Sequence, residues 1–324
     1  MKRKLLTGMV AGAALVLTAT ACGSSEDVPT ANDTSLTEIT VGVIPITSNA
    51  PIHLGNEKGF FEEEGLRLSI QRTVGGAAAV PAVSNGSFDF ADSNLVSIMV
   101  ANDKGLDMKV VTTGSASTGN PEEDSTAVIV PEDSPIQRPA DLAGKTVSVN
   151  TLENIGDTTI RSIVEQDGGD ESAIEFMEVP FPDAPAALAS NQMDAAWIAE
   201  PFLTQALNEG ARVVTYNYAD FHPNTHIEGY FTTSEMVRDE PEIVEKFQNA
   251  MRKSHEYAEA NPQEVRAITA EYTTIDPELR EQIVLNDFPT SFDRDAVREL
   301  GEAAAKYGTI SEAPNLEDLL LDGI

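Results

Sequence analysis

The chain has 324 residues, with 53 Asp and Glu against 21 Lys and Arg, a formal charge of −32 at neutral pH. So acidic a balance keeps a protein soluble and argues against nucleic acid or an anionic membrane face as a partner. With 41% hydrophobic residues and a single cysteine, the composition is that of a globular chain and excludes both an intrinsically disordered one and a disulfide-stapled one.

The first 21 residues fall into three parts: basic Lys2, Arg3 and Lys4, an apolar stretch from Leu5 to Thr20, and small residues before Cys22. This is the layout of an export signal, expected to be no part of the fold. The stretch is too short, and too rich in Ala, Gly and Thr, for a membrane span. The segment Leu17-Thr18-Ala19-Thr20-Ala21-Cys22-Gly23 resembles a bacterial lipoprotein signal, although Ala19 stands where that pattern usually has leucine. The resemblance implies that Cys22 is acylated and tethers the protein to the outer face of the cytoplasmic membrane, stably if it carries two or more chains. The alternative is a cleaved secretory signal with an incidental cysteine. Residues 22–35 have almost no large apolar side chain and are expected to form a flexible tether.

From there the pattern alternates between strand and helix, twice. In the first run Glu38–Pro45, Leu66–Val74 and Phe88–Ala91 read as strands, with helices at Ile52–Glu64 and Ala77–Asn85. In the second, Lys145–Asn150, Ile174–Val179 and Met193–Trp197 read as strands, with helices at Asp157–Gln166 and Ala184–Asn191. Beyond Glu235 only helices are expected. The apolar positions Ile243, Val244, Phe247, Ala250, Met251 and Ala258 make one buried stripe, and further helices read at Pro262–Tyr272, Pro277–Asp287, Arg294–Tyr307 and Ala313–Leu321. Helices without strands must cover something already built, so they are expected to return to the first lobe. The second lobe would then be inserted between crossing strands near Thr126–Val130 and Gly229–Thr233.

In open α/β sheets ligands sit beyond the carboxyl ends of the strands. Four loops qualify. Residues 45–51 offer Thr47, Ser48 and Asn49; Gly75 and Gly76 permit close backbone approach before a helix; Ser93 and Asn94 follow the third strand; and residues 150–159 offer Asn150, Gly156, Asp157 and Thr158 at a helix start. Each has a plainer alternative, a tight turn or a helix cap. Trp197 could present an aromatic face and Glu200 an anionic acceptor, the alternative being a core tryptophan and a carboxylate capping the helix that begins at Pro201. Tyr230 is a further candidate. No Lys or Arg occurs in these loops, so the combination favours a zwitterion or an amine-bearing heterocycle over a simple anion.

The segments Ala50-Pro51-Ile52-His53-Leu54-Gly55-Asn56-Glu57-Lys58-Gly59-Phe60-Phe61-Glu62-Glu63-Glu64-Gly65-Leu66, Val74-Gly75-Gly76-Ala77, Asp141-Leu142-Ala143-Gly144-Lys145-Thr146-Val147 and Asp194-Ala195-Ala196-Trp197-Ile198-Ala199-Glu200-Pro201-Phe202 resemble the solute-binding proteins of ABC importers for alkanesulfonates, taurine, nitrate and the thiamine pyrimidine precursor. The resemblance implies a two-lobed α/β fold of the type II periplasmic-binding-protein kind. Residues 36–125 and 234–324 would form lobe 1, with the helical C-terminal segment packed on it, and residues 126–233 lobe 2. It implies a small organic ligand, with a sulfonate or taurine-like anion or zwitterion favoured and a pyrimidine precursor as the alternative. The implied partners are a membrane permease and its ATPase, with a monomer expected. No cofactor is called for. His222 and His226 are four apart with Glu228 nearby, but Pro223 breaks any regular helix there, so no metal is expected. The reading of another class is an exported enzyme on the same fold, which the lack of a G-x-S-x-G, H-E-x-x-H, P-loop or G-x-G-x-x-G motif disfavours.

Overall fold

The computed structural model describes residues 36–273 and 275–324. The signal segment, the tether and Cys22 lie outside the described residues. The chain runs β1 (Thr37–Val43), α1 (Ala50–Glu57), α2 (Phe60–Glu63), β2 (Leu66–Arg72), α3 (Gly76–Ser84), β3 (Phe90–Asn94), α4 (Leu95–Asp103) and β4 (Met108–Thr113). It continues through β5 (Thr126–Pro131), β6 (Thr146–Val149), α5 (Ile155–Gln166), β7 (Glu175–Glu178), α6 (Ala184–Ala189), β8 (Ala195–Ala199), α7 (Phe202–Asn208), β9 (Ala211–Thr215) and α8 (Asn217–Phe221). The last stretch is β10 (Glu228–Thr233), α9 (Ser234–Asp239), α10 (Pro241–Ala260), α11 (Pro262–Tyr272), α12 (Pro277–Arg280), α13 (Arg294–Lys306) and α14 (Leu316–Leu319).

Two five-stranded sheets result, with orders β2-β1-β3-β10-β4 and β7-β6-β8-β5-β9. In each, three strands are parallel and joined by helices, and the fourth in the order runs antiparallel to both of its neighbours. The sheets thus share one plan, and the antiparallel strand of each is contributed where the chain passes from one sheet to the other, so that β10, expected with residues 126–233 in lobe 2, is a strand of the lobe 1 sheet. Strand β5 is apolar almost throughout because both faces of its sheet are covered.

The helices cover the sheets as their apolar stripes dictate. α10 buries Val244, Phe247, Ala250, Met251 and Ala258, and Phe247 stacks on Phe90 of β3 at 4.1 Å between ring centres. α13 packs against both α4 and α5 and so touches both lobes. Beyond its end, Tyr307 Oη donates to Glu165 at 2.5 Å and the Thr309 and Thr158 hydroxyls meet at 3.0 Å.

The passages between sheets lie side by side. Ala116 bridges both His226 and Asp287 in antiparallel fashion, Ser117 N donates to Thr225 O, and Ile227 N donates to Ser115 O. This third segment, around Asp287, corrects the helix expected over Pro277–Asp287. That helix stops at Arg280; two turn bonds follow it, and then Val284 N donates to Glu200 Oε1 and Asp287 pairs with Ala116. The helix expected over Ile52–Glu64 is two, broken at Gly59, whose φ of +79° ends the first. The helix expected over Ala313–Leu321 is only α14, since Leu320 pairs with Val110 of β4.

Candidate functional site

The carboxyl ends of β1, β3, β6 and β8 converge on one narrow cavity between the lobes, with a free volume of about 30 Å³. That is room for roughly two waters. From lobe 1 it is lined by Ile44, Ile46, Ser48, Asn94 and Glu228, and from lobe 2 by Asn150, Ile155, Phe181, Trp197, Ala199, Glu200 and Tyr218. Ser115, Ser125, Thr126, Ile227 and Asn286 close it at the hinge. No Lys or Arg is among them.

Five of the residues expected from sequence therefore meet at one cavity: Ser48, Asn94, Asn150, Trp197 and Glu200. Asn94 also caps α4, its Oδ1 accepting from Ser97 N at 2.9 Å. Trp197 is buried between Phe181 and Tyr218, with ring centres 5.2 and 5.9 Å away. Its indole N–H is taken by Asn217 Oδ1 at 3.0 Å, so what it can offer a ligand is its face.

Glu200 is 2% exposed and occupied by the fold. Oε2 accepts from Thr204 N at 3.0 Å; Oε1 accepts from Thr204 Oγ1 at 2.7 Å and from Val284 N at 3.2 Å. It caps the start of α7 and holds the C-terminal segment at the hinge. Burial pushes its pKa up to about 7.

The other expected residues do not line the cavity, each for a definite reason. Asn49 Nδ2 donates to Asp92 Oδ2 and to Ile44 O, and its Oδ1 accepts from Tyr230 Oη at 2.8 Å, so Asn49 and Tyr230 are locked together in the core. Thr47 is fully buried beside them. A Cβ on Gly76 would lie 2.1 Å from Ser93 Oγ, which makes that pair a packing contact between α3 and β3. A Cβ on Gly75 would stand 3.5 Å from Thr151 Oγ1, placing Gly75 against the opposite lobe. Gly156 leaves room for Trp197, whose ring would be 2.8 Å from an added Cβ. Asp157 closes a capping box with Asn154 at the start of α5, and Thr158 faces Thr309.

Sequence reasoning misses Glu228, treating it only as a neighbour of two histidines. It is 4% exposed, and burial pushes its carboxyl pKa upward. Ser115, Ser125 and Asn286 are missed as well, because the hinge assembles them from segments far apart in the chain. His226 Nε2 accepts from Asp293 N at 2.8 Å, and among the described residues no three His, Cys, Asp or Glu side chains gather as a metal set.

The family model described as NMT1/THI5 like matches residues 46–265. A formylaminopyrimidine-binding protein of Halalkalibacterium halodurans is 23% identical over 232 residues, 70% of this chain and 67% of that one. Among solved structures, the ligand-binding component of an ABC-type import system from Staphylococcus aureus, with zinc bound, superposes with a TM-score of 0.76 at 14% identity over 88% of this chain and 96% of that one. The alkanesulfonate-binding protein of Xanthomonas axonopodis pv. citri, bound to MOPS, gives 0.69 at 15% identity over 86% and 95%. At such identities the structural likeness establishes the fold, which is the two-lobed one expected, and leaves the ligand open.

Proposed function

The chain belongs to the NMT1/THI5-like family, and from that premise we propose that it is the solute-binding component of an ABC importer, a binding protein and not an enzyme, whose ligand is an amine-bearing aromatic heterocycle of the pyrimidine-precursor kind. The observation that carries this reading is the composition of the cavity: three aromatic side chains, two buried carboxyls and no Lys or Arg. A sulfonate or nitrate would lie beside Glu200 and Glu228 with no cation to offset them, whereas a ring with amino groups can stack on Trp197 and donate to a carboxyl. The name of the Halalkalibacterium relative supports the same class. A free volume of about 30 Å³ is far below the roughly 300 Å³ of a small-molecule pocket, so the lobes must part to admit a ligand and close on it.

Calorimetry with aminopyrimidines, alkanesulfonates, taurine and nitrate tests the ligand class. Saturable binding of an aminopyrimidine alone is expected, and binding of a sulfonate or nitrate in its place would overturn it. Among the described residues no helix is long and apolar enough to cross a membrane. The lipoprotein-like segment around Cys22 supports anchoring through acylation of that residue, and Cys22→Ser is then expected to leave the membrane fraction.

A further inference from the structure

Two carboxyls face the cleft, and they differ in what they have left to accept. Glu200 is met by three donors from the fold. Glu228 is met only by hydroxyls: Ser115 Oγ donates to Oε2 at 2.9 Å, and no backbone N–H among the described residues reaches its side chain. The buried Ser48 hydroxyl stands beside it, close enough to favour its charged form and with no other partner.

The surroundings make that deficit deeper. In the β10–β3 register Tyr230 is opposite Asp92 and Glu228 opposite Asn94, so Glu228 and Asp92 are diagonal neighbours on one face of the sheet. Asp92 is fully buried; its Oδ2 accepts from Asn49 Nδ2 at 2.9 Å, and its Oδ1 has no donor. Thr47 Oγ1, also fully buried, has none either. Buried polar oxygens are ordinarily paired, and leaving one unpaired costs about 1–3 kcal/mol. Of these groups Glu228 is the one that reaches the cavity, where no cation offsets it, and it is matched to a group rich in N–H donors.

We propose that Glu228, and not Glu200, is the specificity-determining carboxylate: lining the cavity and held by the Ser115 and Ser48 hydroxyls rather than by the backbone, it receives the N–H donors of an amidine-like edge on the ligand. Glu200 is a positioning residue that holds α7 and the hinge. The proposal rests on the reading of the cleft as a solute site and goes beyond it by naming which side chain chooses the solute.

The test is calorimetry on the full chain with 4-aminopyrimidine and with pyrimidine itself, for the wild type, Glu228→Gln and Glu200→Gln. Losing a charge-assisted hydrogen bond costs on the order of ten- to a hundredfold in affinity. Glu228→Gln should lose that much for the amino compound and little for the bare ring, while Glu200→Gln should weaken both probes alike and lower the melting temperature. Glu228→Asp, one methylene shorter, should fall between wild type and Gln and replaces Glu228→Gln if that variant does not fold. A Glu228 variant that keeps the wild-type preference for the amine, or a Glu200→Gln that alone abolishes it, overturns the proposal and leaves the reading of the cleft standing. A wild type that binds neither probe overturns both.

Discussion

On the lobe 2 side the cleft is walled by Phe181, Trp197 and Tyr218, packed on one another, with the one indole N–H already given to Asn217 and Glu200 already given to Thr204 and Val284. On the lobe 1 side the Thr47 hydroxyl and one Asp92 oxygen lie buried without a partner behind Ser48, and Glu228 is held only by the Ser115 and Ser48 hydroxyls. The two walls come from sheets of the same plan, yet one is finished as a core and the other is not. The finished wall offers area, which holds any flat apolar ring with little discrimination. The unfinished wall offers unmet acceptors, and a site that must hydrogen-bond its ligand rejects analogues lacking the donor far more strongly than a site that only packs them.

The contrast is broken most severely at Trp197. Trp197→Ala removes the centre of the aromatic wall and should cost about 3–5 kcal/mol of stability, read by urea unfolding, together with most of the affinity for any aromatic ligand. A loss of affinity with unchanged stability would mean that the wall is not part of the core.

Glu200 sharpens the contrast through pH. Burial raises its pKa from the usual 4.5 to about 7, so the folded chain holds a proton that the unfolded chain releases between those values. This contribution to stability is whole below about pH 4.5 and is lost as pH rises to 7. Two and a half pH units correspond to about 3 kcal/mol. Glu200→Gln should therefore gain on the wild type by about that much between pH 4.5 and 7.5. Burial holds His53, His226 and His255 down to about 4, which acts the other way, while the raised carboxyls of Asp92, Asp124, Asp157 and Glu228 act the same way, so the difference between variant and wild type is the quantity to follow. A pH-independent difference would place the proton elsewhere.

The smallest effect belongs to lobe 1. Tyr230→Phe leaves Asn49 Oδ1 without its donor and should cost about 1–2 kcal/mol in thermal unfolding, with the preference for an amine kept, because Tyr230 lies behind the cavity. A lost preference would make the Asn49–Asp92 pair part of the recognising wall.

These differences also mark what the sequence could reveal. The strands of the parallel runs were legible because continuous or alternating apolar residues point to one sheet, as in Ile39, Val41 and Val43. Helix α4 was not, since Leu95, Val96, Ile98, Met99 and Ala101 are buried all round it and leave no period to detect. Trp197 and Glu200 were legible as a pair, and the capping alternative for Glu200 describes its hydrogen bonds better than the ligand-contact one. Glu228 was not, because its neighbours in the cleft come from the hinge: Ser115 is 113 residues away in sequence. Its one signal was a carboxylate directly before Gly229, Tyr230 and Phe231 at the head of a crossing strand, an expensive place for a charge without a task.

Because Trp197 is the single tryptophan of the chain, its fluorescence reports the aromatic wall directly. Titration with an aminopyrimidine should quench that emission saturably, with a midpoint equal to the calorimetric one, and in Glu228→Gln the same quench should need ten- to a hundredfold more ligand. Calorimetric binding that leaves Trp197 emission unchanged, or a midpoint that Glu228→Gln does not move, would contradict the account of one wall that holds the ring and another that selects it.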